Sequence, residues 1–395
     1  MRRFDVAIIG GGAAGIIAAI SARRNNKDAV ICEKMPCIGK KILVSGAGRC
    51  NISSLDLNET HYNPEAGTLI RSAFSRFGGK EIEKFFDELG LKLYAEGKRV
   101  FPITNQAGSV LKVLEEELKR LKIPVELDFD VNHIAASGDK FIISSRSGRD
   151  IACGSVVITG GGKAYPSLGS DGSCYDLARI FGHKIIEPVP SAVPLLAKDK
   201  FCHLLQGQKI RCSAKSIIDG KAAEENAGEL LFTKYGLSGT AILDISGSIS
   251  IAINRLKAKS AQVLVDMAPF IDAGGLEKEV KRRIQRGFEA ENLMMGILPN
   301  KFSLVFRDLF KGAAVEKIVD AVKNKRFDIL GTRGWNEAEF TAGGVDIEDI
   351  KENTLESKLK KGVYFAGEIL DVNGERGGYN LAWAWASGYV AGLTG

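Results

Sequence analysis

The sequence nowhere sustains an apolar run of 18 or more residues, so it offers no segment of the length a membrane-crossing helix needs. It also lacks any C-x-x-C pair. Its seven cysteines (Cys32, Cys37, Cys50, Cys153, Cys174, Cys202 and Cys212) are odd in number and scattered, unlike a paired disulfide framework or a thioredoxin-like motif. Cys32 and Cys37 are the two with metal-ligand proximity, but Cys32 belongs to an apolar run and no His or Cys partner stands nearby. No metal is expected, and reduced thiols suit a cytoplasmic protein. Internal repeats and low-complexity tracts are absent, which removes solenoids and linker-rich arrays. There is no arginine-rich stripe. The formal net charge is a mild +6, with cations set among acids as in KVLEEELKRLK, so no nucleic-acid partner is expected.

What the sequence does contain is a chain of 395 residues, 45% hydrophobic and 26% charged, ordinary for a globular protein of about two domains. Its organising stretch is residues 4–33. The apolar run at 6–9 has strand length and leads directly into Gly10, Gly12 and Gly15, spaced G-x-G-x-x-G, after which small and aliphatic residues continue as a helix. Gly10 permits the turn, Gly12 lets backbone approach a pyrophosphate, and Gly15 lets helix pack on strand. A second apolar run, 29–32, ends at Glu33, 18 residues after Gly15, where a carboxylate can accept hydrogen bonds from an adenosine ribose. Arg2 and Arg3 before this run imitate a secretory signal. The glycines inside the run and Glu33 beyond it fit a nucleotide motif better.

Residues 39–51 follow as a loop rich in glycine and cations. Lys40, Lys41 and Arg49 can neutralise phosphates or a developing ring anion, while Ser45 and Asn51 can hydrogen-bond a planar ring. Residues 68–90 have helical period, with Phe74, Phe77, Ile82, Phe85, Phe86 and Leu89 as core; Ser109 is expected to cap a further helix. Residues 125–135, 140–147 and 150–159 read as three successive strands, the last reaching Thr159-Gly160-Gly161-Gly162. Prolines 188, 190 and 194 mark a crossing between domains. The portion 191–331 carries no nucleotide signature: it reads as β-rich, including AILDIS and SISIAI as strands, with a helical insert at about 275–330. Residues 332–395 then return to the first domain (1–190). There Gly367-Glu368 ends a short buried strand, and Gly377-Gly378-Tyr379-Asn380 opens a helix that can stabilise negative charge.

Together, the fingerprint with Ala19, SGAGRCN, KRVFP, TGGGKAYPSLGSDG, GELLFTKYGLSG, TAGGV, GVYFAGE and AGEILDVNGERGGYNLAWAWASG resemble the YhiN/BaiN flavoprotein family, also called the aminoacetone-oxidase-type family. The blocks run from residue 4 to 392. The segment GELLFTKYGLSGTA departs from the pattern, with Lys234 and Thr240 where members often carry His and Pro. The resemblance implies an α/β fold: a Rossmann-like FAD-binding domain with a three-stranded β-meander, plus an inserted β-rich domain carrying a helical subdomain. Expected around the adenosine half are Gly10, Gly12, Ala13, Ala14, Gly15, Glu33, Lys34 and Val131, the last through its main chain, with Thr159, Gly160 and Gly161 alongside. Expected around the flavin half are Lys40, Lys41, Ser45, Gly46, Gly48, Arg49, Cys50, Asn51, Gly367, Glu368, Gly378, Tyr379 and Asn380. The activity implied is that of an FAD-dependent oxidoreductase, in which NAD(P)H drives reduction of a conjugated C=C bond in a small or steroid-like substrate by hydride from flavin N5. Arg99, Lys234 and Tyr235 are the candidates for polarising the carbonyl or supplying the proton. Only one dinucleotide fingerprint exists and FAD takes it, so NAD(P)H has no domain of its own. That keeps open an amine oxidase passing electrons to oxygen, and a non-catalytic or RNA-associated flavoprotein. Fold alone does not choose among these.

Overall fold

The computed structural model describes residues 2–138 and 140–395 and divides into two compact units, Met1–Pro188 with Phe340–Gly395, and Val189–Glu339. The first is built on a seven-stranded sheet. Strands Val125–Glu126, Ala29–Cys32, Arg2–Ile9 and Asp150–Ile158 lie side by side, all parallel. The far edge of Asp150–Ile158 is shared: its first half pairs antiparallel with Lys140–Ser145, and its second half pairs parallel with Val363–Phe365. Val131–Ser137 completes the antiparallel meander. Such a parallel centre must be covered on both faces, which is why the runs 6–9, 29–32 and 156–158 are continuously apolar rather than alternating.

The expected strand at 125–135 is in fact two. Asp128 sits at φ 50, and the left-handed turn there separates Val125–Glu126, which joins the opposite sheet edge, from Val131–Ser137. The expected helix at 68–90 is likewise broken, into Gly67–Arg76 and Gly79–Glu88, where Gly78 starts the second helix and the Glu81 carboxylate accepts its N–H at 3.0 Å. Phe77, Ile82, Phe85 and Phe86 are buried as expected. Ser109 is not a cap: its helix begins at Ala107.

The fingerprint helix Ala13–Arg24 packs against the last helix, Tyr379–Thr394, through glycine. A Cβ built on Gly388 would stand 2.3 Å from the Ala14 carbonyl oxygen, and one on Gly392 would stand 2.1 Å from that of Ala18. One turn separates the members of each pair, so the two backbones touch along a common face. The Ser21 hydroxyl adds a hydrogen bond to the Tyr389 carbonyl at 2.8 Å. Trp385 meets Phe86 edge-on and its indole N–H reaches the Ile52 carbonyl at 3.1 Å; Tyr389 stacks on Phe77.

The second unit is a closed six-stranded barrel in the order Leu195–Ala197, Gly236–Ser238, Lys221–Thr233, Lys209–Ile218, Ala261–Asp266, Lys325–Thr332. Helices Ala273–Gln285, Ser303–Phe310 and Val315–Lys323 accompany it, and Phe201, Phe232, Phe302, Phe306 and Phe327 fill its core. The stretches AILDIS and SISIAI are helical, Thr240–Ser250 followed by a π-turn over Ile251–Arg255. Their β-branched residues favour strands locally. Tertiary packing overrides this, because Ile242, Ile245, Ile249 and Ala252 recur at helical steps and are all buried. Among the described residues, no helix is long and apolar enough to cross a membrane.

Candidate active site

Strand Arg2–Ile9 ends where its sheet neighbours end, and the loops at these carboxyl ends gather most of the residues singled out above, as parallel sheets require of a binding crevice. Gly10 has φ 107, a conformation open to glycine, and its Cβ would meet the Thr159 carbonyl oxygen at 2.8 Å. Gly15 is tighter still, its Cβ falling 1.9 Å from the Gly10 carbonyl oxygen. Gly12 differs from both. A Cβ there has no neighbour within 4 Å, and the residue is the N-cap of the helix Ala13–Arg24, so a phosphate could approach the helix's positive end at this point. Ala13 and Ala14 form that helix's first turn.

Glu33 lies at the end of the second strand, buried, accepting from the Gly11 N–H at 2.6 Å and the Met35 N–H at 2.8 Å. Gly11 was not among the expected residues. Burial pushes the Glu33 carboxyl above its ordinary value, while the hydrogen bonds from Met35 and Gly11 act in the opposite direction. A carboxyl raised in the fold adds stability that is complete below its ordinary pKa and is lost as pH rises through the raised value. The stability margin of the parent over Glu33→Gln, measured by urea unfolding of FAD-free protein, is therefore expected to shrink as pH rises above about 4. A constant margin would contradict this. Beside it, the Phe129 N–H donates to the Glu33 carbonyl, which brings residues 129–131, including the buried Val131, to the same strand end. The Lys34 ammonium pairs with Asp171 at 2.6 Å and reaches the Ser173 hydroxyl at 3.2 Å.

Within residues 45–50, positions 46–48 and Cys50 take left-handed backbone. Gly46 and Gly48 share positive φ with Ala47 (φ 55) and Cys50 (φ 59), two non-glycine residues held in a conformation that costs energy and concentrates at functional sites. Ser45 donates its hydroxyl to the Ile42 carbonyl at 2.7 Å, and burial pushes the Cys50 thiol up to about 12. The Arg49 guanidinium lies 4.1 Å from the Phe101 ring centroid and binds Glu96 at 2.6 Å, the Tyr94 hydroxyl at 2.8 Å and Asn105 at 2.9 Å. Lys40 opens the short helix Lys40–Val44.

At the other end of the chain, Gly378 (φ 101) is the N-cap of the last helix. Its Cβ would lie 2.4 Å from the Ser53 carbonyl oxygen and 2.9 Å from Asn51 Oδ1. Asn51 Oδ1 and Ser53 Oγ are buried with no hydrogen-bond partner, an uncommon state that a ring with N–H and C=O groups would relieve. This fits the pyrimidine end of a flavin. Tyr379, by contrast, is committed inward: it stacks on His61 at 4.3 Å, and its main-chain carbonyl accepts from the Tyr62 hydroxyl at 2.7 Å. Asn380 is equally occupied, its amide accepting from the Gly374 N–H at 2.9 Å and donating to the Gly374 carbonyl at 2.8 Å, so it pins the preceding turn.

Glu368 joins Lys41 in an ion pair of 2.5 Å, while its other oxygen accepts the Thr341 N–H at 2.8 Å. Thr341 is the first residue of the TAGGV block. Its hydroxyl accepts from the Lys163 and Ala164 N–H groups and so ties in the Gly160–Gly162 turn. Arg99 is exposed at the start of the strand Arg99–Pro102 in the first unit. Lys234 and Tyr235 belong to the second unit, Lys234 exposed and the Tyr235 ring 4.7 Å beneath the Arg333 guanidinium. No spacing signal connects residues 235 and 333.

A Rossmann sheet with its fingerprint at one chain end and a strand-end acid with a glycine-started helix at the other defines the class, an FAD-dependent oxidoreductase. The chain belongs to the HI0933-like family, whose Rossmann-domain model matches residues 4–394. It is 36% identical to the 3-dehydro-bile acid delta(4,6)-reductase of Clostridium scindens, over 98% of both chains. It is 28% identical to the ribosomal RNA dihydrouridine synthase of Haemophilus influenzae, over 98% of this chain and 97% of that one. Among solved structures, the open form of a flavocytochrome c3 fumarate reductase matches all of this chain and 78% of its own with a TM-score of 0.52 at 16% identity, a likeness of fold.

Proposed function

We propose that this protein uses FAD to reduce a conjugated C=C bond in a small, steroid-like molecule at the expense of NAD(P)H. The observation that carries the reading is the end-to-end likeness to a reductase named for a bile-acid substrate, on a chain whose first unit has the crevice just described. Bound FAD supplies two-electron hydride chemistry; the chain binds it, orients it and excludes water. Gly12 and the helix start behind it would take the pyrophosphate, Glu33 the adenosine ribose, and Asn51 with the Gly378 turn the ring's pyrimidine edge. The balance is one hydride from NAD(P)H to the β-carbon and one proton to the α-carbon, leaving NAD(P)⁺ and a saturated bond. Arg99, Lys234 and Tyr235, the last with the Arg333 guanidinium 4.7 Å from its ring centroid, are the candidates for polarising the carbonyl or supplying the proton.

Anaerobic titration with NADH and then NADPH, followed by visible flavin absorbance, tests the reading. Bleaching by one of them, and recovery of colour on adding a conjugated 3-oxosteroid, is the expected result. Recovery with oxygen alone after reduction by a small amine would favour the amine oxidase instead. The likeness to a ribosomal RNA dihydrouridine synthase favours a second substrate, the uridine C5=C6 bond, which is also conjugated to a carbonyl. Recovery of colour with a ribosomal RNA transcript but no steroid, with uridine gaining one H2 by mass, would select it.

A further inference from the structure

Lys41 and Glu368 are 327 residues apart in sequence, yet their charged groups meet at 2.5 Å, each about three-quarters shielded from solvent. Both ends of the pair are anchored. The helix carrying Lys41 is capped by Gly39, whose N–H donates to the Gly11 carbonyl at 2.8 Å, inside the dinucleotide fingerprint. Glu368 follows Gly367, whose N–H donates to the Ser387 hydroxyl at 2.9 Å, on the helix packed against that fingerprint. The Thr341 N–H fixes the second carboxylate oxygen. The wall beside them is bare backbone: a Cβ on Gly162 would stand 3.1 Å from Glu368 Oε1, and one on Gly161 2.9 Å from the Ser170 hydroxyl, itself 3.4 Å from the Lys41 ammonium.

A basic loop beside a dinucleotide site suggests lysines for phosphate, but Lys41 spends its charge on a carboxylate. Each carboxylate oxygen can accept two hydrogen bonds, so Glu368 retains acceptor capacity on both while its orientation is set from two sides. We infer that Lys41 is a positioning residue for the cofactor: it holds Glu368 aimed so that the carboxylate can accept hydrogen bonds from the sugar-alcohol hydroxyls of FAD. The inference rests on the FAD reading above. Lys41 then contributes to cofactor affinity only through Glu368, because removing one partner of a shielded pair leaves the other misdirected and unpaired.

A double-mutant cycle reads this directly. The dissociation constant of FAD, followed by recovery of free-flavin fluorescence on dilution of the holoprotein, is measured for the parent, Lys41→Met, Glu368→Gln and the double variant. Each single change is expected to weaken FAD about tenfold, and the double variant to be no weaker than Glu368→Gln alone. Lys41→Arg, which keeps the pair, is expected to stay within about twofold of the parent and guards against a methionine variant that folds poorly. Multiplying effects, about 100-fold in the double variant, would overturn the inference by making Lys41 an independent phosphate ligand. So would an unchanged Lys41→Met. A parent chain that binds no FAD at all would overturn the cofactor reading first and this inference with it, whereas loss of steroid turnover with FAD binding intact would leave both standing.

Discussion

Gly12→Val is expected to keep its fold and lose its cofactor. Gly12 lies at φ −82, which valine tolerates, and its Cβ would have nothing within 4 Å in the protein. The added side chain therefore has no internal clash to unfold the chain. What it does occupy is the approach to the N-terminus of Ala13–Arg24, where backbone N–H groups and the helix dipole favour an anion. We expect the FAD dissociation constant to rise at least about 100-fold, equivalent to about 2.7 kcal/mol, with the thermal midpoint of the FAD-free protein unchanged. Unaltered FAD retention would remove the pyrophosphate from Gly12. Gly15→Val is the contrast, since its Cβ would be driven to 1.9 Å from a backbone oxygen and the fold itself should fail.

Gly392→Leu should have the largest effect on stability of any change in the last helix. The substituted Cβ begins 2.1 Å from the Ala18 carbonyl oxygen, and relief demands that two largely buried helices part. Overpacking of a close-packed core costs on the order of 3 kcal/mol, and here backbone rather than a flexible side chain must move. Urea unfolding followed by tryptophan fluorescence reads it well, because Trp383 and Trp385 lie on the same helix. The midpoint should fall with Gly392→Leu and, separately, with Gly388→Val. A parent-like midpoint for both would mean that the two helices do not approach through these glycines.

Asn380 shows that a side chain at a motif turn can serve the turn's own hydrogen bonds. Its position beside Gly378 suggests a ring contact, and its amide also bonds Gly374 and the Glu375 carbonyl, so Asn380→Ala is expected to loosen the turn as well. Arg49 makes the same point, since its charge is balanced by Glu96 and its face by Phe101. A cation in a loop announces that an anion is near, but not which one.

Local chemistry was enough wherever the determinant is local. Strand, turn, helix and acid within residues 4–33 are dictated by hydrophobic period and by glycines that only a tight turn requires. The aromatic core at Phe77, Phe85 and Phe86 follows from helical spacing, and the returning C-terminal segment declares itself by a second strand-end acid and glycine turn. Tertiary structure alone decided whatever depends on partners distant in sequence. It made a helix of the isoleucine-rich stretch 240–250, because burial outweighs a β-preference worth less than about 1 kcal/mol per residue. It placed Arg333 over Tyr235, and it joined Lys41 to Glu368 across 327 residues. A salt bridge has no sequence period, and only the folded first unit brings its two ends together.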